Sequence, residues 1–509
     1  MGLSIISWYQ EKVKREWKIG FLVTLIIGLI CHFYKFTNYL PNHDSLYNYY
    51  NSQNVVGSGR WLLSLVCGIS SYYDLPWLNG IISMIFIALT VVIIVHFFEV
   101  KNPIVIGIIS GLLVCSPSVT ETLFFEFTAD GYMIAMFFAA AAVLFSKIDD
   151  HKMTHSILEI VLLCCTCGIY QAYISFSLIL MVLYCIRLLL ISNYKIRTYV
   201  KWIIKQIIIY VIALALFYVI WKVCMHVEHI EINAYQGINQ MTLSISTLVS
   251  AIPSSISALL FYFVEWNVFA HNWTLYGVLN VLFLLTAAIT FVMAVIKKKI
   301  YKNLDKLILM IICIIAIPFM ACIWNFASPS VGYRPMMLTS LVLIYMFVAV
   351  ISDELLNIKW SNLIGILLAV IVFNNLVVTN ISYYYLNQEY EASYATGAEM
   401  MARIHALDAD TYEVSVIGDL SEEYSLNTDE RTNRVHMLTQ LLESNLLYNQ
   451  DHVVPFLANT FDSRYHIAGS SEKNELKAME EVKEMGVWPS SDSIKVINNV
   501  IVIKLSEEE

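Results

Sequence analysis

Apolar stretches of roughly 17–25 residues recur along this chain, each the length a helix rising about 1.5 Å per residue needs to cross about 30 Å of hydrocarbon. Eleven are counted, at 19–37, 76–98, 103–120, 131–147, 155–170, 173–191, 202–223, 274–296, 306–325, 336–352 and 360–380. Charge cannot rescue a soluble reading, because 58% of the 509 residues are hydrophobic and only 14% charged. Membrane strands would alternate with a period of two over about ten residues, and no stretch does. The expected fold is therefore an α-helical polytopic membrane protein of about eleven spans.

The first run follows Lys12, Lys14, Arg15 and Lys18 and is too long for a signal-peptide core, so it is read as span one. Ahead of it, Leu3 to Trp17 suits either an interfacial amphipathic helix or an ordinary basic flank. With the N-terminus cytoplasmic, seventeen lysines and arginines near span ends fall on the inner side, from Lys12 to Lys359. The outer loops then hold only Arg60 and Arg334. Positive charge is retained on the cytoplasmic side, so this bias sets the orientation, and it makes the two outer arginines unusual. All ten cysteines precede residue 330, mostly inside apolar runs, which indicates no disulfide framework; Cys164, Cys165 and Cys167 are small packing residues of one helix.

Composition changes after residue 381, where nine basic residues face twenty-three acidic ones. The expected organisation is an interfacial segment 1–18, a transmembrane module 19–386 with outer loops 38–75, 120–130, 224–273 and 326–335, and an extracytoplasmic α/β domain 387–509. In that domain we expect a helix at 388–406, a strand at 412–417, a helix at 471–485 and a hairpin of 493–497 with 500–505, turning at Asn498-Asn499 where positive φ is needed. Its acidity excludes nucleic acid as a partner. Within 227–272 the moderately apolar 243–263, interrupted by Pro253, is read as a helix lying at the outer interface, since a further span would invert the charge bias downstream.

Ionisable groups at a bilayer are costly, so where they collect is a functional candidate. They collect on the outer side: Asn42-His43-Asp44-Ser45 and Gly59-Arg60-Trp61 in the first loop, Glu121, Glu126, Asp130 and Tyr132 around the second, Tyr170-Gln171 at the next turn, and Tyr333-Arg334-Pro335 before the tenth span. Sugar transfer from a lipid phosphate needs such parts. A carboxylate takes the proton of an attacking hydroxyl, arginines hold a departing phosphate, and aromatic rings and amides receive a sugar. Each residue also has a plainer role. Asp44 suits a helix N-cap, Arg60 and Trp61 an interfacial pair, Glu121 and Glu126 solvated loop positions, Asp130 a cap of the fourth span, and Arg334 an ion-pair partner. His43 reads as a polar loop residue rather than a metal ligand.

At these positions the chain resembles the bacterial GtrII family of polytopic glucosyltransferases. The likeness rests on Asn42-His43-Asp44 with Gly59-Arg60-Trp61, on Phe127 to Met133, on Gly168 to Tyr173, on Tyr235-Gln236-Gly237, and on Trp488-Pro489 followed by 493–497. The resemblance implies a GT-C type fold, a polyprenyl-phosphate-linked sugar donor, glucose by analogy, a cell-envelope glycan acceptor, and an acid of the first outer loop, here Asp44, as catalytic base. Arg60 and Arg334 then hold the donor phosphate, while Glu121, Glu126, Asp130, Tyr132, Tyr170, Gln171 and Trp61 serve the sugar and acceptor. The residue types neither require nor exclude a divalent cation, because Asp44 lacks the adjacent second acid of the commoner pattern. A flippase or transporter, which would place ionisable groups near mid-bilayer, and an assembly protein recruiting through its tail are the rival readings.

Overall fold

The computed structural model describes residues 12–233, 244–264, 274–328, 331–408, 410–420 and 446–507, so Tyr235-Gln236-Gly237 falls outside the described residues. Besides a single turn at Leu63–Cys67, the helices of the membrane module in order are α1 (Arg15–Thr37), α2 (Pro76–Phe97), α3 (Pro103–Val114), α4 (Pro117–Phe124), α5 (Glu126–Leu144), α6 (Met153–Ile169), α7 (Ile174–Ile191), α8 (Ile196–Glu228), α9 (Ile245–Val264), α10 (Leu275–Lys297), α11 (Leu304–Ala321), α12 (Val342–Leu355) and α13 (Ile358–Ala406). Local chemistry starts them. Proline opens α2, α3 and α4, where its missing N–H would have had no helical partner. Asn102, Ser116, Thr274, Asn303 and Asn357 cap five helices with side-chain oxygens.

Among the described residues ten helices are long and apolar enough to cross a membrane, and α3 with α4, bent by 41°, forms one more broken span. Side-chain contacts order their ends. Asn54 donates to Glu228 at the end of α8 (2.7 Å), and Trp324, just past α11, donates to the Gln171 carbonyl ahead of α7 (3.0 Å). Both helices thus finish at the face carrying the first loop, called here the loop face. The α10–α11 turn lies at the other face, where Lys306 Nζ reaches the Ser192 carbonyl beyond α7 (2.8 Å). It follows that α10 begins at the loop face, where α8 ended. The apolar α9 between them therefore enters and leaves by one face and is not a crossing. Pro253 does not break it, as the sequence suggested, but sits inside the helix; membrane helices tolerate such a proline when neighbouring groups satisfy the backbone. Counting the 17-residue α6, eleven crossings remain, in line with the expected fold.

Three boundaries differ from expectation. Arg15 to Trp17 already belong to α1. The expected loop at 120–130 is helical, with α4 and α5 separated by Phe125 alone and the whole stretch buried in protein. The span at 360–380 and the helix at 388–406 are one 49-residue helix, α13. No glycine or proline interrupts 381–396, so nothing stops it at the bilayer; at about 74 Å it outruns the hydrocarbon by about 40 Å.

On that extension sits a four-stranded sheet, β1 (Glu413–Ile417), β2 (His466–Ile467), β3 (Ile494–Ile497) and β4 (Val500–Lys504), in the order β2-β1-β4-β3. β1 runs parallel to β2 and β4, and β3–β4 is the expected hairpin with Asn498 and Asn499 at φ 51° and 64°. Its helices are α14 (Gln450–Thr460), α15 (Ser470–Ala478) and α16 (Glu480–Lys483). The single helix expected at 471–485 is thus split, because Met479 is extended. Met400, Met401 and Ile404 of α13 enter this domain's core, and so does Leu46 of the first loop.

Candidate active site

The first loop folds tightly at its arginine. Val56–Ser58 form a 3-10 turn, and Gly59 follows at φ 84°, where a Cβ would lie 2.4 Å from the Gln171 side-chain nitrogen. Only glycine fits both demands. That approach lets Gln171 donate to the Ser58 carbonyl (2.8 Å), while Trp221 of α8 donates to Val56 (2.7 Å). Trp61 lies against Gly168, where a Cβ would come within 2.6 Å of the indole. Arg60 is thereby aimed at two tyrosines. Its Nη1 donates to Tyr132 Oη (2.9 Å), its guanidinium lies 5.1 Å from the Tyr170 ring centre and 5.9 Å from that of Tyr132, and the two rings stack at 4.2 Å. Arg60, Trp61, Tyr132, Tyr170 and Gln171, five of the sequence candidates, form one cluster.

Arg334 and Glu121 adjoin it. The turn 171–173 packs on the 3-10 helix Pro335–Leu341, whose first turn is capped by Glu121 through the Met336 N–H, with Arg334 just ahead. Beside them Ser254, Ser257, Asn325 and Tyr333 line a cavity of about 310 Å³ against α9. Its polar walls suit hydroxyl groups.

The remaining acids are dispersed rather than gathered. Glu126 pairs with Lys35 of α1 (2.9 Å), both buried, and Lys35 also donates to the Leu40 carbonyl (2.6 Å). Asp130, one turn along α5, accepts from the Gly131 N–H (2.8 Å). Glu126 is thus not the solvated loop residue, and Asp130, inside α5, not the helix cap, that the sequence allowed. Asp74, just before α2, joins Lys35 and Glu126 and was missed, since nothing in Tyr-Tyr-Asp-Leu-Pro distinguishes it from a wet loop position. Burial pushes its carboxyl up to about 6, against the Lys35 charge and a hydrogen bond from Ser45. Among the described residues Asp74 Oδ1, Glu126 Oε1 and Asp130 Oδ2 find no hydrogen-bond partner, a cost of burying acids with one lysine between Asp74 and Glu126. Among the described residues no three His, Cys, Asp or Glu side chains are arranged to hold a metal ion.

Asp44 stands apart from these. It lies in a 3-10 turn, His43–Leu46, whose cap is Asn42 and not Asp44: Asn42 accepts from the Ser45 N–H (2.9 Å) and donates to the Phe124 carbonyl (3.1 Å). Freed from capping, the Asp44 carboxylate accepts from Tyr47 Oη and lies 3.4 Å from His43 Nε2, with its side chain 28% exposed. Of the acids singled out in the sequence, Asp44 is open to water while Glu121, Glu126 and Asp130 are buried.

Eleven crossings with an arginine–tyrosine cluster and an accessible carboxylate at one end define a multi-pass membrane protein with polar groups gathered at one of its faces. The chain belongs to the GtrII glucosyltransferase family: the family model described as Glucosyl transferase GtrII matches residues 33–351, well over half of it. No curated protein and no solved structure matches the chain. The matched stretch holds Asp44, Arg60 and Arg334 and ends before α13 and the C-terminal domain.

Proposed function

We propose that this glucosyltransferase takes glucose from a polyprenyl-phosphate donor and passes it, with inversion, to a cell-envelope glycan at the extracytoplasmic face, with Asp44 as general base. The observation that carries the base is the contrast in accessibility: Glu121, Glu126 and Asp130 are buried, whereas Asp44 is reachable and held by Tyr47. The orientation rests on the basic residues, which crowd the face opposite the loops. The lipid donor keeps its chain in the bilayer with its phosphate at Arg60 and Arg334, whose planar charge suits departing phosphate oxygens. Tyr132, Tyr170, Gln171 and Trp61 shape the space beside it, and the α9 cavity accommodates sugar hydroxyls.

In the reaction Asp44 takes the proton of an acceptor hydroxyl as its oxygen attacks the anomeric carbon. The bond from that carbon to the phosphate oxygen breaks, and polyprenyl phosphate leaves with the electron pair. Proton transfer by a placed side chain contributes about 100-fold to 10,000-fold. The test is Asp44→Asn in cells, reading glucose incorporated into envelope polysaccharide: transfer should be lost at normal protein levels, and unchanged transfer rejects the base.

A further inference from the structure

The C-terminal domain lies beyond the family match, yet it is built into the Asp44 turn. Leu46 is buried in its core, Asn459 of α14 donates to the Leu46 carbonyl (3.2 Å), and His452 of α14 inserts among three rings. The His452 ring centre lies 5.9 Å from His43, 5.7 Å from Tyr47 and 5.8 Å from Tyr448. His43 and Tyr47 are the side chains that approach the Asp44 carboxylate. His452 itself is 8% exposed, but Tyr47 and Tyr448 on either side each keep 45% of their surface open.

We infer that the acceptor glycan is bound at this seam, across the Tyr47 and Tyr448 rings on either side of His452, and that the glycan is uncharged. The inference rests on Asp44 as the base. An attacking hydroxyl must come within hydrogen-bond reach of that carboxylate, and a chain of sugars reaching it from the aqueous side passes over the aromatic groups next to it. Exposed aromatic rings with polar rims suit the apolar faces and hydroxyl edges of sugars, and ligand sites favour domain boundaries. The lipid donor cannot use the seam, because its chain stays in the bilayer while the seam is carried by the part of α13 beyond the hydrocarbon. Charge narrows the class further: twenty-three acidic against nine basic residues after 381 repel a polyanion. Tyr448 and His452 therefore set acceptor choice from outside the region shared with the family.

The test uses the full-length protein in lipid nanodiscs and, as probe, envelope polysaccharide from cells in which the gene is deleted, with polygalacturonate as the polyanionic comparison. Binding is read directly, so the outcome does not depend on turnover. Tyr448→Ala and His452→Ala should each weaken polysaccharide binding about tenfold, Tyr448→Phe should retain it, and polygalacturonate should not compete. Unchanged binding in both alanine variants, with melting temperatures intact, overturns the seam whatever transfer does. Weakened binding alongside undiminished transfer by Asp44→Asn would keep the seam and remove the base assignment. Competition by polygalacturonate overturns the uncharged class.

Discussion

Two acidic groups share the loop face and are linked through the first loop, where the Asp74 N–H donates to the Tyr49 carbonyl (3.0 Å) a few residues beyond Asp44. One, Lys35 with Asp74 and Glu126, is sealed inside protein; the other, Asp44 with His43 and Tyr47, opens to water. The difference teaches that an acid near a membrane surface gains its role from what encloses it. Sealed carboxylates need a cation and hold helices together, whereas an open one, steadied by a neighbouring hydroxyl, can exchange a proton with a substrate.

The contrast breaks most sharply at Asp44. Asp44→Asn keeps the shape and loses the base, so glucose incorporation should fall about 100-fold or more with the fold intact; a melting temperature near wild type checks the second half. Lys35→Met should do the reverse, leaving two buried acids without their cation at a cost of about 3–5 kcal/mol. Thermal unfolding of the detergent-solubilised protein measures this, and adding Glu126→Gln should recover part of the loss. A smaller effect is expected at Arg60→Lys, which keeps charge but not the planar stack on Tyr170; the donor KM should rise about tenfold in a transfer assay. The smallest is a pH effect. The folded chain holds the Asp74 proton more tightly than the unfolded one, with a carboxyl at about 6 against an ordinary 3.8. This site's contribution to stability is therefore complete below about pH 4 and lost as the pH rises through about 6. Asp74→Asn should flatten the melting temperature over that interval.

Much of the fold was legible because hydrophobic length is a local property. The eleven crossings, the acidic tail and the Asn498-Asn499 hairpin follow from stretches a reader can inspect one at a time. In the site, Arg60, Trp61, Tyr132, Tyr170 and Gln171 were all named from sequence and do converge. Their polarity in an apolar chain singled them out. Asp74 and the pairing of Lys35 were not legible, since each looks like an ordinary residue at the edge of a span. The burial of Glu121 and Glu126 was hidden too, because hydropathy reports a polar break and says nothing of what packs around it.

By itself, then, the sequence determined the membrane crossings and where polar residues interrupt them, both consequences of transferring short segments from water to hydrocarbon. Only the tertiary structure decided that α13 carries the C-terminal domain back onto the first loop, and that Asp44 stays open while its neighbours are sealed. Those facts rest on contacts between residues hundreds of positions apart, such as Leu46 with Asn459, and packing at that range leaves no local mark on the chain.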